Sequence, residues 1–142
     1  MKKYIFSVSS IISVDGETNG IELTTTGNYC RINGKWVMMY EESLDGSPEK
    51  IRTVIRATDD SVSITRNGDT SSRMVMKLYE RNMCHYNTEY GAIMMGVYCT
   101  DIKTDLNEAG GTIYMSYTLD INAAVFSKNE VTIKIREVKS NV

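Results

Sequence analysis

A two-residue periodicity in hydropathy runs through nearly the whole chain and limits what it can fold into more than any other feature. Ile113, Met115, Tyr117, Leu119 and Ile121 alternate with the mostly polar Thr112, Tyr114, Ser116, Thr118 and Asp120, as in a strand with one buried face. Val131, Ile133 and Ile135 alternate in the same way with Thr132, Lys134 and Arg136. A surface helix would need apolar residues three and four apart, and no long stretch has them.

The alternation predicts strands over 3–14, 21–32, 35–43, 50–57, 61–66, 72–78, 83–88, 91–104, 111–121 and 125–138. Asp15-Gly16, Asn33-Gly34, Asp45-Gly46, Asp59-Asp60, Asn67-Gly68 and Gly110-Gly111 fall between them, with Pro48 in one of the connections. These residue types tolerate the positive φ of tight hairpins. Connections this short join antiparallel neighbours, and closing so long a sheet removes its exposed edges. The predicted fold is therefore all-β, a single antiparallel up-and-down barrel of about ten strands. A chain of 142 residues with 42% hydrophobic content encloses one core rather than two, so residues 1–142 read as one domain.

The formal net charge of -2 removes the excess of cations on which phosphate-backbone affinity depends, so nucleic acid is not an expected partner. Lys2 and Lys3 precede an apolar stretch that superficially resembles an export leader. Ser7, Ser9, Ser10 and Ser13 interrupt it, however, and Tyr4, Phe6, Val8, Ser10, Ile12 and Val14 alternate as a strand would. No segment has the apolar length of a membrane helix, so no membrane partner is expected. Cys30, Cys84 and Cys99 are odd in number and irregularly spaced, which reads as buried reduced thiols rather than a disulfide framework.

The Asn33-Gly34 turn sets a usable register. It places Ile32 opposite Lys35, Arg31 opposite Trp36, Tyr29 opposite Met38, Gly27 opposite Tyr40, Thr25 opposite Glu42 and Leu23 opposite Leu44. The face carrying the pairs from Arg31–Trp36 to Leu23–Leu44 is the more apolar one and is assigned to the interior, where Gly27 leaves room for the Tyr40 ring. Glu42 then lies on an inward row near a strand end, and Arg66 shares the inward row of Val62 and Ile64. Each of these charges needs a partner, with Tyr40 or Thr25 supplying hydrogen bonds. Two readings follow: a structural ion pair closing one barrel end, or an anion anchor built on Arg66. Arg66, Glu42, Tyr40, Trp36 and Tyr29 are the candidate ligand-contacting residues of the interior.

No signature of catalysis stands out. His85 adjoins Cys84, so the two project to opposite faces of a strand. The cysteines lack the paired spacing of a zinc site, and the adjacent carboxylates Glu41-Glu42 and Asp59-Asp60 diverge on a strand. No phosphate-cradling glycine loop precedes a helix. The expectation is a non-enzymatic protein without metal or cofactor. The nine methionines read mainly as adaptable core filler. Residues 92–100 are apolar on both faces, with Ala92, Met94 and Tyr98 outward, and Val37 and Met39 add to the outer surface. An outer apolar patch of this kind would be covered by a chain segment, a second subunit in a homodimer, or another partner.

Several stretches, Trp36-Val-Met-Met-Tyr40-Glu-Glu42, Val62-Ser-Ile-Thr-Arg66-Asn-Gly68, Met74-Val-Met76, Thr88-Glu-Tyr90-Gly91 and Gly111-Thr-Ile-Tyr-Met-Ser-Tyr117-Thr-Leu119, together resemble the YwiB-like family of small bacterial calycin-like β-barrel proteins. The likeness spans nearly the whole chain in order. Glu89 stands where that family often has proline before the Tyr-Gly pair. The resemblance implies a calycin-like barrel in a cytoplasmic bacterial setting and brings no activity with it. Together with the inward Arg66, it leads to the expectation of a small apolar or anionic molecule bound in, or at the mouth of, the barrel. The alternative is a filled barrel acting as an interaction module through its outer patch.

Overall fold

The alternating segments form ten strands in the computed structural model, which describes residues 3–43, 50–68, 71–88 and 90–138. They are β1 (Lys3–Val14), β2 (Glu17–Ile32), β3 (Lys35–Ser43), β4 (Lys50–Ala57), β5 (Ser61–Asn67), β6 (Ser71–Lys77), β7 (Arg81–Thr88), β8 (Gly91–Asn107), β9 (Gly110–Ile121) and β10 (Ala124–Val138). Each strand pairs antiparallel with its sequence neighbours, and β1 pairs with β10 to close the barrel. No helix occurs among the described residues.

Turn chemistry sets the hairpins. Asp15 and Gly16 have φ of 51° and 81°, and Asn33 and Gly34 have 52° and 77°, the left-handed pair that matches the twist of the flanking strands. The register expected from Asn33-Gly34 holds from Ile32 opposite Lys35 to Gly27 opposite Tyr40. The ladder then stops. Thr25 does not pair with Glu42; its hydroxyl donates instead to the Glu41 carbonyl at 3.3 Å. Leu44, the Asp45-Gly46 turn, Pro48 and Glu89 lie outside the described residues.

The interior is one contiguous apolar cluster. Phe6, Met38, Ile55, Met76, Ile113, Met115 and Ile133 are its largest fully buried side chains, each contributing about 1.5–3 kcal/mol of burial free energy. Gly27 sits where a Cβ would run into the Met39 carbonyl oxygen and the Phe6 ring, and Phe6 and Tyr40 pack over it with ring centroids 5.5 Å apart. One feature of the sequence pattern has a local cause. The β8–β9 register shifts between Cys99 and Asp101, a bulge that moves the inward positions of β8 from Val97 and Cys99 to Ile102 and Leu106. The Thr100 hydroxyl holds the bulge through Ser116, at 3.0 Å to its carbonyl and 2.9 Å to its hydroxyl.

Two expectations about side-chain placement are corrected. Cys30 is exposed, unlike the buried Cys84 and Cys99, because it lies on the outward row of β2. Val37 points outward and is nevertheless buried, at 7% exposure, so it adds nothing to an outer patch.

Candidate functional site

The two ends of the barrel differ in chemistry. At the end carrying the β2–β3 turn, Tyr29 stacks on Trp36 with centroids 5.1 Å apart and planes 4° from parallel, and Tyr4 meets Tyr29 edge-on at 5.1 Å. The Arg31 guanidinium covers the outer side of Trp36 at 5.4 Å. Both phenols are committed to the β8–β9 connection: Tyr29 donates to the Asn107 carbonyl at 2.6 Å and Tyr4 to the Glu108 carbonyl at 3.2 Å. Burial raises the Tyr29 pKa far above the usual tyrosine value, with nearby Tyr4 adding to it. This end is an aromatic plug.

The opposite end is polar. Strand parity carries Glu42, Thr53 and Arg66 onto adjacent inward rows, with Thr53 opposite both Tyr40 and Arg66. The Thr53 hydroxyl donates to Glu42 Oε1 at 3.4 Å, and Arg66 Nη2 lies 3.7 Å from the same oxygen. Further round the barrel, Tyr117 faces Asn129 across the β9–β10 ladder, and the buried Asn129 amide donates to the Ser127 hydroxyl at 3.0 Å. Tyr40, Thr53, Tyr117, Ser127 and Asn129 are all buried, so hydroxyls and an amide cap the apolar core at this end.

Electrostatics bind the group together. Burial first, and then the Glu42 carboxylate, push the Tyr40 phenol up to about 12, with Arg66 pulling the other way. Burial likewise raises the Tyr117 pKa, Arg66 opposes it and Cys84 adds to it. Both phenols are therefore neutral donors at physiological pH. The Arg66 side chain is 50% exposed and that of Glu42 20%. Their 3.7 Å separation is a charge contact too long for a hydrogen bond, and Arg66 makes no hydrogen bond among the described residues. A guanidinium fork with all its donors free, half open to solvent close to neutral phenols, can take a planar or tetrahedral anion.

The expected site residues therefore divide. Tyr40, Glu42 and Arg66 come together at the polar end. Tyr29 and Trp36 belong to the plug at the other end, because the inward row they share with Tyr40 runs the length of the barrel. Thr25 does not serve the ion pair; Thr53 does, from the neighbouring strand. Tyr117 and Asn129 escaped the sequence reading. Their inward parity is legible, but the approach of Tyr117 to Arg66 across the barrel depends on strand tilt and closure.

Among the described residues no group of His, Cys, Asp and Glu side chains could hold a metal ion. Cys84 is buried and His85 exposed, as opposite faces of one strand require. Among the described residues no helix is long and apolar enough to cross a membrane.

A family model described as Domain of unknown function (DUF1934) matches residues 6–133. The uncharacterized beta-barrel protein YwiB of Bacillus subtilis (strain 168) is 25% identical over 114 residues, covering 80% of this chain and 79% of that protein. The crystal structure of the ywiB protein from Bacillus subtilis superposes with a TM-score of 0.87 at 22% identity, covering 97% of this chain and 93% of that one. At this identity the structural likeness carries the fold.

Proposed function

We propose a binding role for this chain, which belongs to the DUF1934 family. In this reading it is a non-enzymatic, calycin-like barrel in the bacterial cytoplasm that takes a small anionic molecule at its polar end, with Arg66 as the anchor. The single observation that carries the reading is the Arg66 fork, half exposed and without a hydrogen-bond acceptor among the described residues, close to the buried Tyr40 and Tyr117 phenols. The apolar-ligand version loses support, because Phe6, Met38, Met76, Ile113 and Met115 occupy the interior as one fully buried cluster. A non-enzymatic role fits the outward His85 and the inward Cys84, which rule that neighbouring pair out as nucleophile and base.

Titration with sodium succinate, followed by amide chemical shifts, tests the site. Saturable shifts confined to residues around Tyr40, Glu42, Thr53, Arg66 and Tyr117 are the expected result. Shifts centred on Tyr29 and Trp36, or none that saturate, would overturn it.

A second reading, a homodimer through the outer face of β7 and β8, rests on a different observation. Met83, Met94 and Tyr98 are 46%, 50% and 37% exposed on that face, an unusual concentration of large apolar side chains. Native mass spectrometry separates the two: a retained small adduct supports the anion site, and a dimer without adduct supports the interface.

A further inference from the structure

A concavity of about 440 Å³ lies on the outside of the barrel over β4, β5 and β6. We propose that it is a second anion site, independent of Arg66, that takes a condensed phosphate or the phosphate chain of a larger molecule.

Its shape follows from side-chain size along three adjacent strands. Outward residues of β5 are short, namely Ser61, Ser63 and Thr65, while the flanking strands carry long cations. Arg56 stands opposite Ser63 on the β4 side, and Arg73 stands opposite Thr65 on the β6 side. The cations are therefore staggered by two residues along the floor, and Lys35 closes the end near the β4–β5 turn. Neighbouring strands lie roughly 4.8 Å apart, so the two guanidinium stems straddle a gap of about two strand spacings, the width of a phosphate group with its donors.

Among the described residues the charge is uncompensated. Lys35, Arg56 and Arg73 make no ion pair among the described residues, although Lys50, Arg66, Lys77, Arg81 and Lys103 all do. The hydroxyls of Ser61, Ser63 and Thr65 make no side-chain hydrogen bond there either. A chain with a net charge of -2 has carboxylates to spare for neutralising these cations and does not place one in the concavity. Two Arg forks, an ammonium and three free hydroxyls match an anion with several oxygens and more than one negative charge. A single carboxylate would leave most of these donors unused. The volume falls within the usual range for small-molecule sites.

Isothermal titration with sodium tripolyphosphate, at constant ionic strength set with sodium chloride, tests the proposal on the intact chain. The expected result is saturable binding that the Arg56→Gln/Arg73→Gln variant weakens at least about tenfold, or roughly 1.4 kcal/mol. Ser63→Ala/Thr65→Val should weaken it by a smaller factor, and in the Arg66→Met background, which removes the other anion anchor, saturable binding with the same dependence on Arg56 and Arg73 should persist. All these positions but Thr65 and Ser63 are exposed, and matching thermal melts confirm that each variant folds. Undiminished binding in Arg56→Gln/Arg73→Gln, or no saturable binding to the wild type, overturns the proposal. Loss of binding in Arg66→Met alone would also overturn it, by assigning the phosphate to the polar end.

Discussion

Arg81 grips Asp120 with two hydrogen bonds, Nε to Oδ2 at 2.9 Å and Nη2 to Oδ1 at 2.6 Å, across the outer face of β8. The intervening residue is Gly96, where a Cβ would strike both partners. Asp120 Oδ1 also accepts the Ala123 N–H at 3.1 Å, which steadies a turn in which Asn122 and Ala123 both have positive φ, at 52° and 68°. One carboxylate thus ties β7 to β9 over β8 and caps the β9–β10 hairpin.

Stability should fall in acid through this group. Arg81, through its hydrogen bonds, holds the Asp120 carboxyl below the ordinary carboxylate value. The folded state therefore binds fewer protons than the unfolded state in that range. The contribution is fully present above the unfolded carboxylate value of about 3.9 and is lost as pH falls through the lower folded value. Urea melts across this window should show an acid-dependent loss that Asp120→Asn lacks.

Gly27 should resist enlargement. Gly27→Ala drives a methyl into the Met39 carbonyl and the Phe6 ring, at a cost of about 1–3 kcal/mol. At Gly20 a Cβ would approach nothing closer than the Ser10 carbonyl at 3.9 Å, so Gly20→Ala should stay within about 0.5 kcal/mol of wild type. Paired denaturant melts measure both.

The thiols should separate by reactivity. Cys30 is exposed while Cys84 and Cys99 are buried, and burial raises the pKa of both inner thiols. A chromogenic thiol-exchange reagent should titrate Cys30 rapidly in the native protein and reach the other two only on unfolding. Equal rates for all three would show that the core opens readily.

Tyr40 should contribute, with Tyr29, to a loss of stability in alkali. Its folded pKa of about 12 lies above its ordinary value of 10.0, so the stabilisation is fully present below the ordinary value and is lost as pH rises through the folded one. Tyr40→Phe should lessen that alkaline decline without removing it, as read by thermal melts.

How much of this was legible in the sequence depends on the range of the interaction. The β2–β3 register could be read because a two-residue turn determines it locally. The Asn122-Ala123 turn could not, since its second residue is an alanine held at positive φ by the distant partnership of Arg81 and Asp120. The Thr100 bulge left a trace in the shift of apolar positions from Val97 and Cys99 to Ile102 and Leu106, which simple alternation does not register. For Arg66, parity correctly indicated the inward row and the pairing with Glu42. It did not reveal how near the solvent that row ends, and a half-exposed pair is worth about 0–1 kcal/mol rather than the several expected of a buried one.

A double-mutant cycle on Arg66 and Glu42, run with and without succinate, tests the central claim most directly. If Arg66 is an anion anchor, Arg66→Met should leave apo stability within about 1 kcal/mol of wild type and couple weakly to Glu42→Gln. The same substitution should abolish stabilisation by succinate. Coupling of about 3 kcal/mol or more in the absence of anion, with no succinate effect in wild type, would mark a purely structural ion pair and contradict the account.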